Sequence, residues 1–505
     1  MPMKDIYPTR RLSTSVSLDL DRISSHFVGH SQRSNLIHND TIKEGEEGGP
    51  LLYKPDGLGN FVYSTIDTMT LSLVPHIQIR DQEHPGISWL SVAFGIANAA
   101  IGVGVLNYPA AYHKIGGIEM ATIVQLALVT ILFISMSILI FCSDLNGSNS
   151  YHEILSNICG KRAEILVAGD IFLGTFGICV AYLIVIGDQY DRILASLVGD
   201  DFCHSWFLNR KFTIAATAIF ISPLCFMKKL DFLRHTGPLG IISMAYVVFL
   251  TIYEHFALTD VVPGEIRTRP ESFTAMFGII PVMCFGYQCN EVIIPIYASM
   301  KDRSPKNFYK AASLAYGVLI FLYGAVGYFG YTTFGSKVYP DIITMFNARD
   351  PLVMIGITAL ILKMAVTYPQ MCFVGRGAFE GVFAYFSGKS IHELEKTEKC
   401  RRNTISCTWF IGSLLLALFA PDIEVVIEAL GSLAAVNIFI FPSMCLILLA
   451  HRDRYGFSRI TKLLFYTLGS VFIVIGVVVL SLVLNQVYID ISGTNSEPLV
   501  PLCRA

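Results

Sequence analysis

The stretch SVAFGIANAAIGVGVLNYPAAY, Ser91–Tyr112, decides how the rest of the chain is read. It is apolar for long enough to sit in a bilayer, which takes roughly 20 residues of helix. Yet it carries Gly95, Gly102, Gly104 and Pro109 where a plain spanning helix would carry Leu and Ala. Glycine leaves helical geometry readily, and proline removes a helix donor. In hydrocarbon, backbone groups freed in this way survive only where protein buries them or where they line a wet cavity. The stretch is therefore a candidate binding site as well as a membrane span.

Composition agrees with a membrane protein. Of 505 residues, 53% are hydrophobic and 15% charged, against about 25% charged in soluble domains. The net charge of −2 singles out no partner, and no nucleic-acid partner is expected. The 12 cysteines form no CxxC pair and no Cys/His cluster at metal spacing, so neither a metal centre nor a resident cofactor is expected. Cys203 and Cys503 fall in segments placed outside the cytosol, and spacing alone leaves open whether they pair. No nucleophile–base pair or phosphate loop stands out, which argues against an enzyme.

Residues 1–85 form a polar tail with no apolar run long enough to pack. Within it, Glu47 stands ahead of the pair Leu51–Leu52 in the acidic dileucine pattern, an address read by sorting adaptors rather than an anchor. Eleven apolar stretches follow: about 88–112, 117–142, 163–187, 212–227, 237–256, 273–297, 309–334, 351–373, 404–420, 423–450 and 460–484. They predict an all-α transmembrane core over 86–486, embedded in lipid, and a C-terminal tail over 487–505. With the N-terminus in the cytosol, the cytosolic loops hold 19 Lys and Arg and the opposite side 9. The positive-inside rule then places the N-terminus inside and the C-terminus outside the cell or in an organelle lumen.

The counterpart of the first stretch is the sixth, FTAMFGIIPVMCFGYQCNEVIIPIY, Phe273–Tyr297. It combines Gly278, Pro281, Gly286 and Pro295 with Gln288, Asn290 and Glu291 near its centre. First and sixth are five spans apart, as expected if spans one to five and six to ten are two inverted copies with an eleventh appended. Close helix packing explains one glycine pair, but explains less well two matched stretches that each add proline and amides. Free amides around Gly102, Val103 and Gly104 suit a carboxylate. Freed carbonyls at Phe285, Gly286, Tyr287 and Gln288 suit an ammonium group. A small molecule presenting both is an amino acid.

These same residues resemble a known family. GIANAAIGVGVLNYPAAYHKIGG (Gly95–Gly117) is similar to the first-span motif of the sodium-coupled neutral amino acid transporters, within the amino acid/auxin permease group. AYLIVIGDQYDRI (Ala181–Ile193), CFGYQC (Cys284–Cys289), GYTTFG (Gly330–Gly335), GRGAFEG (Gly375–Gly381) and LALFAPDI (Leu416–Ile423) point to its members seven and eight, the lysosomal glutamine and asparagine type. The resemblance covers about 87–487. It implies a glutamine-like neutral substrate, Na⁺ symport by alternating access, and a lysosomal rather than plasma membrane. It also implies that Asn98 and Thr367 belong to the Na⁺ site.

Two departures bear on coupling. The family reads Cys-His where this chain has Cys289–Asn290, and an amide cannot titrate. Lys363 lies four residues before Thr367, on the same helix face, and a mid-membrane lysine is costly and functional by default. Glu291 and Asp170 are the acids available to neutralise it. Three readings stay open for Lys363: an ion pair with an acid, a built-in cation that replaces Na⁺ and brings H⁺ coupling, or snorkelling. The sequence therefore predicts an amino acid transporter, with an amino acid sensor signalling through its tail as the alternative.

Overall fold

In a computed structural model, which describes residues 86–198, 210–227, 237–259, 261–270, 280–387, 391–419, 423–452 and 455–491, every regular element is helical. The tail with Glu47, Leu51 and Leu52, Cys203, Cys503, and the start of the sixth stretch with Gly278 lie outside the described residues.

The first stretch is broken where its glycines stand. Ser88 caps α1 (Trp89–Ala100), its Oγ accepting from the Ser91 amide at 3.3 Å. After Ile101 and Gly102 the chain resumes as a 3-10 turn (Val103–Asn107) and α2 (Tyr108–Ile115). The two halves are bent by 59°. Gly116 ends α2 at φ 97°, and a Cβ there would fall 2.3 Å from Pro270 Cα, so only glycine lets the 261–270 segment lie across this end. The sixth stretch breaks likewise, into α8 (Ile280–Tyr287) and α9 (Asn290–Ala298) around Gln288 and Cys289.

The remaining helices are α3 (Ile118–Asn146), α4 (Tyr151–Cys159), α5 (Lys161–Val198), α6 (Arg210–Cys225), α7 (Gly237–Ala257), α10 (Pro305–Phe334), α11 (Pro351–Ser387), α12 (Ile391–Phe419), α13 (Ile423–Ala435), α14 (Phe441–His451) and α15 (Arg459–Ile491). A π-turn, Val436–Ile440, joins α13 to α14. Hydropathy did not anticipate α4, whose start is set by Ser150 accepting from the Glu153 amide at 3.2 Å. Among the described residues eight helices are long and apolar enough to cross a membrane, and nine if the bent first pair counts as one. The two of the eleven apolar stretches outside this number are the fourth and the sixth, whose described parts are α6 and the pair α8 and α9.

Packing draws the two breaks together. Helix α1 packs on α10, α8 on α13, and α5 along α11. The ends of the broken pair are clamped as well: the Lys301 amide donates to Ile87 O at 2.9 Å, and the Ile87 amide to Ser299 O at 3.0 Å. At the opposite end of α5, a buried chain of hydrogen bonds holds the segment after α10. Gln189 Nε2 donates to Asp341 Oδ2 at 2.6 Å, and Arg192 donates to Gln189 Oε1 at 2.9 Å and to Phe346 O. Burial pushes the Asp341 carboxyl up to about 6, against the opposing pull of Arg192.

Candidate functional site

The breaks meet at Gly104 and Gly286. A Cβ on Gly104 would stand 3.2 Å from Gly286 Cα and 3.2 Å from Phe285 Cδ1, so a larger residue presses the two breaks against each other by a few tenths of an ångström. Gly102 differs. Its backbone is extended, at φ −133°, and nothing lies within 4 Å of where its Cβ would be. Here glycine is not demanded by conformation; it leaves space. That space is a cavity of about 140 Å³. An engineered cavity of about 150 Å³ holds a benzene molecule, so the volume is that of a small metabolite.

Ten residues singled out in the sequence line this one cavity: Asn98, Gly102, Val103, Gly104, Asp170, Phe285, Gln288, Glu291, Lys363 and Thr367. Three do not. Gly286 is filled against the Tyr108 and Tyr323 rings. The buried Tyr287 hydroxyl takes a hydrogen bond from Gln125 Nε2 at 2.6 Å, behind the break. Asn290 is buried and stitches helices together, its Nδ2 donating to Ser135 Oγ at 3.1 Å and Asn437 O at 2.9 Å. Of the two residues between Gln288 and Glu291, Cys289 also lines the cavity, and only Asn290 lies outside its lining, as a helix turning about 100° per residue allows.

One hydroxyl holds both breaks. Tyr323 OH, from α10, lies 3.1 Å from Ala100 O, 2.9 Å from Gly286 O and 3.5 Å from the Gly102 amide. It thus meets carbonyls that each broken helix leaves without an intrahelical partner. Sequence reasoning passed over it, because tyrosines in apolar spans are more often packing. The available signal was its hydroxyl, which needs a partner when buried.

Lys363 is 7% exposed, and its Nζ donates to Ile101 O at 3.2 Å. Among the described residues it forms no ion pair with Asp170 or Glu291. The ammonium is instead held at the C-terminal end of α1, where the helix dipole and unpaired carbonyls favour a cation. Gly240 of α7 faces this point: a Cβ there would lie 3.6 Å from Lys363 Cε and 3.7 Å from Asn98 Oδ1. Thr367 Oγ1 donates back to Lys363 O at 2.8 Å, leaving its lone pairs toward other donors or a cation.

The acids stand elsewhere on the wall. Asn437, in the π-turn, donates through Nδ2 to Asp170 Oδ2 and to Glu291 Oε1, the latter at 3.4 Å. The sequence reading omitted Asn437, although an amide within a long apolar run was there to be seen. At the far end of the opened halves, Lys114 of α2 pairs with buried Glu428 of α13 at 3.1 Å.

A family model described as "Transmembrane amino acid transporter protein" matches residues 85–489. The chain is similar to Sodium-coupled neutral amino acid transporter 7 of Danio rerio, 34% identical over 73% of this chain and 80% of that protein. The Homo sapiens protein of the same name is 35% identical over 71% and 79%. Solute carrier family 38 member 8 of Homo sapiens is 26% identical over 73% and 88%. Among solved structures, the crystal structure of MhsT in complex with L-phenylalanine aligns with 79% of this chain and 97% of that chain, at TM-score 0.47 and 14% identity.

Proposed function

The chain belongs to the transmembrane amino acid transporter family, and from that premise we propose that it carries glutamine-like neutral amino acids by alternating access around the cavity between its helix breaks. The observation that carries this reading is the cavity's two-ended wall. The first amides of the Val103–Asn107 turn have no intrahelical acceptor and suit a carboxylate. Carbonyls freed at the sixth-stretch break beside Phe285, together with the side chain of Gln288, suit an ammonium group, since Lys363 already holds the Ile101 carbonyl. Asn98, Gly102, Val103, Gly104, Phe285 and Gln288 are then the substrate and ion contacts.

The wider arrangement belongs to the same reading. Eleven spans comprise two inverted five-span copies and an appended helix. The tail over 1–85 offers Glu47, Leu51 and Leu52 to a sorting adaptor, and the protein resides in the lysosomal membrane.

The relatives are named sodium-coupled, so Na⁺ held near Asn98 and Thr367 is the first reading of coupling. One observation favours a second. The Lys363 ammonium already stands on Ile101 O beside Asn98 and Thr367. A tethered cation supplies the charge that Na⁺ would bring, so that H⁺ or no ion is needed.

Uptake of labelled glutamine into proteoliposomes, with Na⁺ and H⁺ gradients imposed separately, tests both. Flux that follows Na⁺ and fails in Asn98→Ala supports sodium symport. Flux that follows H⁺ or neither gradient, and changes in Lys363→Ala, supports the tethered cation. No flux under any gradient overturns the transport reading in favour of a sensor.

A further inference from the structure

With Lys363 held by the first break, the cavity retains two carboxylates that no cation among the described residues pairs with. Asp170 comes from α5 and Glu291 from α9, and both accept from the single Nδ2 of Asn437. Leu433 O, at 3.4 Å, competes for the same amide hydrogens. Asp170 is 8% exposed and Asn437 2%. Two carboxylates converging on one amide in a low-dielectric wall repel each other when both are ionised, and that state stays costly until a proton or another positive charge joins them. A second feature points the same way. Asn437 Oδ1 is a buried acceptor with no partner among the described residues, and Asn437 lines the cavity.

We propose that Asp170, Glu291 and Asn437 form a subsite for a positively charged side chain, so that the chain carries cationic amino acids alongside neutral ones. The inference rests on reading the cavity as the amino acid site. The amide between the carboxylates marks where N–H donors fit. A guanidinium brings five such donors and a charge, and an ammonium brings three, whereas a side-chain amide brings two and no charge. Counting charges gives the same preference. The wall holds two carboxylates and one lysine among its lining residues. With all three ionised, a neutral zwitterion leaves that balance negative, and a cationic amino acid completes it.

The experiment measures labelled arginine, lysine and glutamine uptake in the same wild-type proteoliposomes, then in Asp170→Asn and Glu291→Gln. Arginine and lysine are expected to enter and to compete with glutamine. Each variant is expected to lower the arginine-to-glutamine flux ratio by about tenfold, the loss of one charged hydrogen bond. Should a variant fold poorly, thermal stabilisation of purified wild-type protein by arginine, compared with glutamine and with NaCl, gives an independent reading. Glutamine flux with no entry or competition by arginine or lysine overturns the subsite while leaving transport intact. The subsite is likewise overturned if the variants alter only the Na⁺ or pH dependence of glutamine flux, because the cation there is then inorganic. If none of the three amino acids moves, the transport reading fails, and absence of stabilisation by arginine overturns the subsite separately.

Discussion

Replacing Tyr323 by Phe removes one oxygen from the point where the two broken helices meet. The ring keeps its neighbours, since Tyr108 and Tyr287 lie 4.5 Å and 5.0 Å away, centre to centre. Only the hydroxyl's bonds to Ala100 O and Gly286 O, and the Gly102 amide's bond to it, are lost. A neutral hydrogen bond contributes about 1 kcal/mol net, and stranding a buried acceptor costs about 1–3 kcal/mol. Ala100 and Gly102 border the cavity and can be rehydrated, so the lower part of that range applies, about 1–2 kcal/mol. That corresponds to a factor of about 5–30 in an equilibrium. The assay is glutamine affinity of the purified protein, with unfolding midpoint measured alongside. Tyr316→Phe is the comparison, because Tyr316 itself stands outside the cavity lining: its hydroxyl bonds Tyr287 O at 3.3 Å and meets the lining only at Cys289 Sγ, also at 3.3 Å. Tyr323→Phe should weaken Kd by that factor, and Tyr316→Phe should lower stability with little change in Kd. Equal and unchanged Kd in both would refute the idea that this hydroxyl holds the site.

Two buried titratable groups outside the spans should respond to pH with opposite sign. Burial raises the Asp341 carboxyl from 3.8 to about 6, so the folded protein binds a proton that the unfolded chain has released. Stability from this group is present below about pH 4 and falls by about 3 kcal/mol by pH 6. Asp341→Asn should flatten that fall in unfolding midpoints, and an unaltered slope would count against it. Burial lowers His152 from 6.5 to about 4, and neither ring nitrogen has a partner among the described residues. Its contribution is present above about pH 6.5 and is lost, again by about 3 kcal/mol, as pH falls toward 4. His152→Phe should therefore improve stability at pH 5 relative to pH 7, and no such gain would sink the assignment.

Hydropathy and the Gly/Pro pattern are enough to read the helical class and to place a break at Gly102, because burying free backbone in lipid is so costly that the sequence must mark where it happens. Together with the family resemblance, which supplies Asn98 and Thr367, they also gather ten cavity residues from four separate stretches. Facing is harder to read. Tyr287 and Asn290 stand within two residues of Gln288 yet lie outside the cavity lining, since an irregular break leaves the phase of the next helix undefined by spacing. Neutralisation is harder still. A carboxylate is the partner that sequence suggests for Lys363, but the carbonyl of Ile101 at a helix end serves it, and backbone acceptors carry no sequence signature. Tyr323 and Asn437 escape notice for a related reason: each acts across helices far apart in the chain, and their meeting is decided by packing alone.

The central claim is that an amino acid occupies the space left at Gly102. That position is extended and on the cavity wall, and a Cβ there meets nothing within 4 Å, so Gly102→Leu strains no backbone and sends its side chain into the cavity. The decisive measurement is equilibrium binding of labelled glutamine to purified wild-type and Gly102→Leu protein, read with the unfolding midpoint of each. The account predicts that wild type binds, and that the variant melts close to wild type but no longer binds. Wild-type affinity retained in a folded Gly102→Leu protein would contradict it.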